Sequence, residues 1–91
     1  MLNELQISPN PAISGSEFKI NVNLSHKGKL MFYIKNITRK NVCTGKMGTF
    51  CEGNHEITCK LPEGLFPGIY YLILNHSEGG QVTHRLLVNV N

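Results

Sequence analysis

The sequence contains no tryptophan and no aspartate, and its longest unbroken apolar run, Ile69 to Leu74, is six residues long. Because a membrane-spanning helix needs about 20 apolar residues, the sequence predicts no such helix. Met1 to Ile13 has no lysine or arginine and is interrupted by Pro9 and Pro11, unlike a secretory signal peptide. We therefore expect a chain that stays in the cytoplasm or one that was cut from a longer precursor.

Cysteine is scarce, and the three that occur, Cys43, Cys51 and Cys59, follow one another at eight-residue steps. This spacing differs from the Cys-x-x-Cys pairs of structural zinc sites, so we predict no metal site. In an oxidising compartment one disulfide can form, and our candidate pair is Cys51 with Cys59. Such a bridge would close a short loop and contribute about 2–3 kcal/mol. In a reducing compartment all three act as small hydrophobic residues.

The residue patterns of common active sites are also missing. There is no glycine-rich phosphate loop before a lysine, no serine elbow and no cysteine with a local catalytic signature. His26, His55 and His76 fall in predicted loops or at strand ends, where we expect solvated side chains, whereas His84 lies within a predicted strand. The sequence therefore predicts a protein that is not an enzyme and needs no cofactor.

Positive charge is concentrated in the first half of the chain. Seven cations and no acid lie between Lys19 and Lys46, whereas the rest of the chain has Lys60 and Arg85 against six glutamates. Such a basic segment suits an anionic partner, although exposed lysines also discourage pairing at strand edges. Without an arginine cluster or a nucleic-acid-binding signature, we expect no nucleic-acid partner.

Apolar residues recur at every second position through most of the chain, which is the spacing of a half-buried strand. Short clusters rich in glycine and proline separate these runs, and we predict Gly45 to Gly48 as one of the turns. The aromatic residues Phe32, Tyr33, Tyr70 and Tyr71 suit core packing better than a sugar-stacking platform. The predicted strands are Leu5–Ser8, Phe18–Leu24, Leu30–Lys35, Val42–Thr44, Ile57–Leu61, Ile69–Leu74 and Val82–Val90.

About seven short strands, with a turn signal every 8–12 residues or so, are typical of an all-β fold. We predict an antiparallel immunoglobulin-like β-sandwich formed by one domain, residues 1–91. The Cys…Trp…Cys pattern of antibody domains is absent, and a small closed barrel is the competing architecture.

The order of several short motifs is more specific than any one of them. Ser8-Pro9-Asn10-Pro11-Ala12 opens the chain, Gly68-Ile69-Tyr70 begins a late strand, and Arg85 precedes a final valine-rich strand. This order resembles the C-terminal sorting domain, type A, of proteins exported by the Bacteroidetes type IX secretion system. The resemblance makes Pro9, Asn10, Pro11, Gly68 and Tyr70 the family-motif positions. The chain departs from the family in its cysteines and in having Thr38-Arg39 where Gly-Arg is usual.

The resemblance implies a non-catalytic module for secretion targeting and cell-surface sorting, at the C-terminus of a larger secreted protein. Its partners would be the outer-membrane secretion and sortase machinery and anionic lipopolysaccharide. The protein would be exported, passing through the periplasm to the outer-membrane surface or the medium. Our candidate contact residues are Lys35, Arg39 and Arg85. The alternatives are an immunoglobulin-like binding or spacer module for a glycan or protein and, more weakly, a cytoplasmic nucleic-acid binder.

Overall fold

The computed structural model describes residues 2–90, with side chains from residue 5 onward. Within that part of the chain the regular structure consists of eight strands, which confirms the all-β prediction and adds one strand to the expected seven. The strands are β1 (Leu2–Ser8), β2 (Ala12–Ile13), β3 (Glu17–Leu24), β4 (Gly28–Lys35), β5 (Asn41–Phe50), β6 (Gly53–Lys60), β7 (Gly68–His76) and β8 (Gln81–Asn89).

The strands form two sheets that face each other. One sheet has the order β1-β3-β6 and the other the order β2-β8-β7-β4-β5. All neighbouring strands are antiparallel except β2 and β8, which pair in parallel through Ala12 and Val88. The predicted β-sandwich is confirmed, with this one parallel pair as an addition to the expected antiparallel arrangement. No helix in residues 2–90 has the length and apolar character needed to cross a bilayer.

The core lies between the sheets and follows the period-two pattern of the sequence. In β3, Phe18 and every second residue after it are buried, and the ring of Phe18 meets that of Phe32 edge to face at 6.4 Å. Each large aliphatic side chain buried in this way stabilises the fold by about 1.5–3 kcal/mol. The largest fully buried side chains are those of Phe18, Ile20, Leu24, Leu30, Ile34, Leu61, Leu72, Leu74, Leu86 and Val88.

The predicted turn from Gly45 to Gly48 is wrong, because both residues lie inside the ten-residue strand β5. Gly45 is opposite Phe32, and a Cβ atom at Gly45 would overlap the Phe32 ring. Gly48 has a φ of +90° and adjoins a register shift between β4 and β5, where a bulge inserts one residue. These glycines therefore accommodate an aromatic ring and a bulge within a long strand.

The predicted disulfide between Cys51 and Cys59 is incorrect for this fold. All three cysteines are free thiols. Cys51 lies in the turn before β6, and Cys59 lies near the far end of that strand. Because a strand rises about 3.3 Å per residue, the six steps from Gly53 to Cys59 alone span about 20 Å, whereas a disulfide needs Cα atoms within about 7 Å.

His76 is buried at the end of β7 rather than solvated as expected. Its Nε2–H donates to the carbonyl of His26 at 3.0 Å, and its Nδ1 accepts from the backbone N–H of Glu78 at 3.1 Å. Gly28 lies directly beneath the ring, leaving no room for a Cβ atom. His76 is thus a structural residue that closes the β7–β8 hairpin.

Candidate functional site

Three residues form one row across the outer face of the five-stranded sheet. Lys35 of β4 is in register with Tyr71 of β7, and Tyr71 is in register with Arg85 of β8. Because their chain neighbours Ile34 and Leu86 are buried, alternation turns this row away from the core. The Tyr71 side chain, 38% exposed, therefore lies between two cations.

Arg39 lies in the β4–β5 turn, next to the end of the row. The Oδ1 atom of Asn36 organises this turn by accepting from Thr38 N at 3.0 Å, Thr38 Oγ1 at 2.7 Å and Lys40 N at 3.0 Å. Arg39 has a φ of 67°, a left-handed conformation that favours glycine, and its N–H donates to the Asn36 carbonyl at 2.9 Å. The turn tolerates a side chain here because the Asn36 hydrogen bonds fix its shape.

A shallow groove of about 550 Å³ connects these residues. Lys35 and Arg39 line its basic side, while Tyr71, Ile73 and Thr83 form its floor on the neighbouring strands. Arg85 adjoins Tyr71 in the sheet but does not line the groove. The structure therefore places two of the three predicted contact residues at one site, with the third beside it.

The electrostatic character of this sheet is uniform. Its four long strands carry four cations, Lys29, Lys35, Lys46 and Arg85, and no acidic residue. The opposite sheet carries glutamates, including Glu56, whose carboxylate is 3.5 Å from the Lys19 ammonium. An anion at the groove would meet no carboxylate from the strands beneath it, which favours binding of negative charge.

Apolar side chains adjoin the cations on the same face. Ile69 and Leu87 are directly paired on β7 and β8, and each is 39% exposed. Ile37, in the same turn as Arg39, is 70% exposed. This surface can hold a partner that is both negatively charged and partly apolar, because cations can neutralise its charge while exposed hydrocarbon is buried.

Two of the motif positions, Asn10 and Gly68, contact the final strand. Oδ1 of Asn10 accepts from the backbone N–H of Leu87 at 3.2 Å, and Ala12 pairs with Val88 in the next step. On the other side of β8, Gly68 pairs with the same Val88. Pro9 and Pro11 flank Asn10, and both of their preceding peptide bonds are cis. Motifs from opposite ends of the sequence therefore hold one strand, β8, from both of its edges.

Tyr70 links the start of β7 to the loop that precedes it. Its ring is buried, and its hydroxyl donates to the carbonyl of Phe66, four residues upstream, at 2.9 Å. This is the tyrosine corner found in immunoglobulin-like sandwiches, where such a bond fixes the loop that leads into the strand. Gly68, at the start of the same strand, has a φ of +150°. Both motif residues thus set the path of the chain into β7.

Among the residues that the structure describes, no three His, Cys or Glu side chains lie close enough together to hold a metal ion. His84 Nδ1 is 2.8 Å from the Arg85 carbonyl, and His55 Nε2 is 2.6 Å from the Cys51 carbonyl. These two histidines are therefore engaged with the backbone.

No protein-family model and no curated protein matches the chain in sequence. Several solved structures share its fold. A β-glucosidase from Listeria innocua, in complex with glucose, matches 97% of the chain at 15% identity with a TM-score of 0.54. The chain spans only 16% of that enzyme's length. A superoxide reductase (neelaredoxin) from Ignicoccus hospitalis is 16% identical, with a TM-score of 0.50. The match covers 99% of this chain and 82% of the reductase chain. At such identities the likeness concerns the fold alone.

Sequence reasoning selected the cations of this site but missed its apolar part. Tyr71 was assigned to packing, and Ile37, Ile69 and Leu87 were not singled out. Strand alternation could have identified Tyr71 as exposed, because it follows Tyr70 directly and adjacent residues of a strand face opposite sides of the sheet. Which residues stand beside Tyr71 depends on register, which period-two alternation alone does not fix.

Proposed function

We propose that this domain is a non-catalytic recognition module that serves as a secretion-targeting and cell-surface sorting signal, read by type IX secretion machinery. The observation that carries the proposal is the convergence on β8. Asn10 and Gly68, which come from different motifs of the resemblance, contact the segment Leu87–Val88 from opposite sides. A motif with this arrangement presents the final strand, and Arg85 with it, in a fixed position. On this reading the protein is exported and its passenger precedes the domain.

The groove supplies a contact surface for this role. Lys35, Arg39 and Arg85 surround Tyr71, and exposed aliphatic side chains lie next to them. A matching partner surface is acidic and partly apolar. Anionic lipopolysaccharide, in which phosphates and acyl chains are carried on the same sugars, is a partner of this kind.

The second candidate is an immunoglobulin-like binding or spacer module for a glycan or a protein. The exposed ring of Tyr71 on the floor of a polar-rimmed groove favours it, because aromatic faces and neighbouring hydrogen-bond donors suit sugar recognition. The two candidates use the same groove and differ in whether the domain directs export.

A fusion to a periplasmic reporter in a type IX-competent bacterium tests the proposal. The groove variant carries Lys35→Glu, Arg39→Glu and Arg85→Glu. The control carries the same change of charge at three exposed lysines outside the groove, Lys27→Glu, Lys46→Glu and Lys60→Glu. We expect the native and control fusions to reach the surface and the groove variant to lose at least about tenfold of the surface signal.

Circular dichroism and thermal unfolding of each purified domain show that the variants are folded before export is compared. Equal export of the groove variant and the control would contradict a role for the groove in sorting. If the native fusion is not exported at all, the sorting proposal fails. Groove-dependent binding of the isolated domain to a glycan array would then support the second candidate.

A further inference from the structure

The eight-residue spacing of the cysteines places one on each of two consecutive strands and one in the connection between them. Cys51 occupies the two-residue connection between β5 and β6, and Cys43 and Cys59 lie eight residues before and after it. The chain doubles back at this connection. Cys43 and Cys59 therefore lie towards the same end of the sandwich, on two consecutive strands.

Both of these thiols point into the sandwich. Cys43 is directly paired with Ile34, and Cys59 with Phe18, two of the most deeply buried residues. Because paired residues of neighbouring strands share a face, each cysteine faces the space between the sheets. Both side chains are half-buried and pack against the core cluster.

The strands that carry them are the edges of different sheets. β5 ends the five-stranded sheet and β6 ends the three-stranded sheet, and within residues 2–90 these two strands are not hydrogen-bonded to each other. Cys43 and Cys59 thus face each other across the open side of the sandwich. Immunoglobulin-like sandwiches accept a disulfide between facing sheets, so a bond in this direction is compatible with the architecture.

The pKa values of the two thiols, both raised by burial, agree with this placement. Burial raises the pKa of Cys43. Burial, and then repulsion by the Cys43 thiolate, raise the pKa of Cys59 to about 11. The second effect agrees with two sulfur atoms that share the space between the sheets, because Coulomb repulsion weakens with distance.

We propose that Cys43 and Cys59 form an inter-sheet disulfide when the domain meets an oxidising thiol–disulfide couple. The Cys43 and Cys59 thiols give up two protons and two electrons and join through a new S–S bond. The oxidant is a small disulfide such as oxidised glutathione, whose S–S bond breaks to give two thiols. Cys51, exposed at the turn, stays outside the bridge. The proposal is independent of the sorting function and is tested without export.

The test uses the full chain with Cys51→Ser, which removes the exposed thiol, and incubates it with oxidised glutathione. The expected product has lost the mass of two hydrogen atoms and has no thiol that reacts with Ellman's reagent. In the wild-type chain, cleavage with trypsin and Glu-C after oxidation places each cysteine in its own peptide, residues 41–46, 47–52 and 57–60. We expect the first and third of these peptides to be joined.

Two controls make the outcome decisive. The variant Cys43→Ser/Cys51→Ser has one half-buried thiol and should gain a single glutathione or remain unmodified. The bridged Cys51→Ser protein should unfold at a temperature higher by roughly 10 °C than its reduced form, because the bridge closes a loop of about 15 residues. The proposal is overturned if both Cys43 and Cys59 take up glutathione separately or keep free thiols, or if the wild-type digest joins the Cys51 peptide to either of the others.

Discussion

The side-chain oxygen of Asn10 accepts a hydrogen bond from the backbone N–H of Leu87, 77 positions later in the sequence, at 3.2 Å. The bond lies immediately before the point where β2 begins to pair with β8 at Ala12 and Val88. The Asn10 side chain thus extends the ladder of β8 by one step beyond the two-residue strand β2. It links the first motif of the chain to the strand that carries Arg85.

Replacing Asn10 with alanine should destabilise the domain by about 1 kcal/mol, since the Leu87 N–H then lacks its partner. Urea unfolding of the purified domain measures this change. Asn89→Ala is the matched control, because Asn89 is exposed on the same strand and should change stability by less than about 0.5 kcal/mol. Equal effects of the two changes would show that the Asn10 bond contributes nothing.

Tyr70→Phe should lower the free energy of unfolding by about 1–2 kcal/mol, because it removes only the hydroxyl that donates to the Phe66 carbonyl. Tyr71→Phe removes the same atom from a ring that faces solvent and should be nearly neutral. Comparison of thermal midpoints for the two variants tests the prediction. A neutral Tyr70→Phe would mean that the tyrosine corner is dispensable.

Gly45→Ala should destabilise the fold by about 1–3 kcal/mol, because the added methyl group overlaps the Phe32 ring. Phe32→Leu frees space over Gly45, so the double variant should be more stable than the sum of the single effects by about 1 kcal/mol or more. Urea unfolding of the four proteins gives this coupling energy. Additive effects would contradict the close approach of Phe32 to Gly45. Thr49→Ala, at an exposed position of the same strand, is the control for substitution in β5.

Stability should fall at alkaline pH because of Cys59. In the reduced protein, burial and the nearby Cys43 thiolate raise the Cys59 pKa to about 11 from an ordinary value of 9.0. The folded state therefore holds the thiol proton more tightly than the unfolded chain does. The resulting stabilisation is complete below pH 9 and is lost as the pH rises to about 11.

Urea unfolding of the wild type and of Cys59→Ala, both with a reducing agent, measures this effect between pH 8 and pH 11. The groups that the two proteins share contribute equally to both curves and cancel in the difference between them. We expect the difference in free energy of unfolding, wild type minus Cys59→Ala, to decrease as the pH rises from 9.0 to about 11. Parallel curves for the two proteins would refute the prediction.

The sequence predicts those strands in which alternation is strict, such as β3 from Phe18 and β4 up to Lys35, because burial of one face imposes period two. It fails at β5, where Gly45 and Gly48 have the composition of a turn. Gly45 leaves room for the ring of Phe32, which lies on the neighbouring strand β4. Propensity within β5 carries no information about such a contact.

The candidate site was predictable to a similar extent. Charge segregation selected Lys35 and Arg39, and the resemblance pointed to Arg85, without any knowledge of register. Their assembly around Tyr71 depends on which residues of β4, β7 and β8 stand side by side. The cysteine pairing failed for the related reason that Cys51 and Cys59 are close in sequence but are separated by the length of β6.

Because the long strands of the five-stranded sheet carry four cations and no carboxylate, one broad side of the domain is positively charged. The molecule measures 36 × 23 × 18 Å, whereas the Debye length at physiological ionic strength is only about 8 Å. An anionic surface therefore attracts the domain mainly when that side is turned towards it. A tethered copy would settle on such a surface in one preferred orientation, with the β1-β3-β6 sheet directed outward.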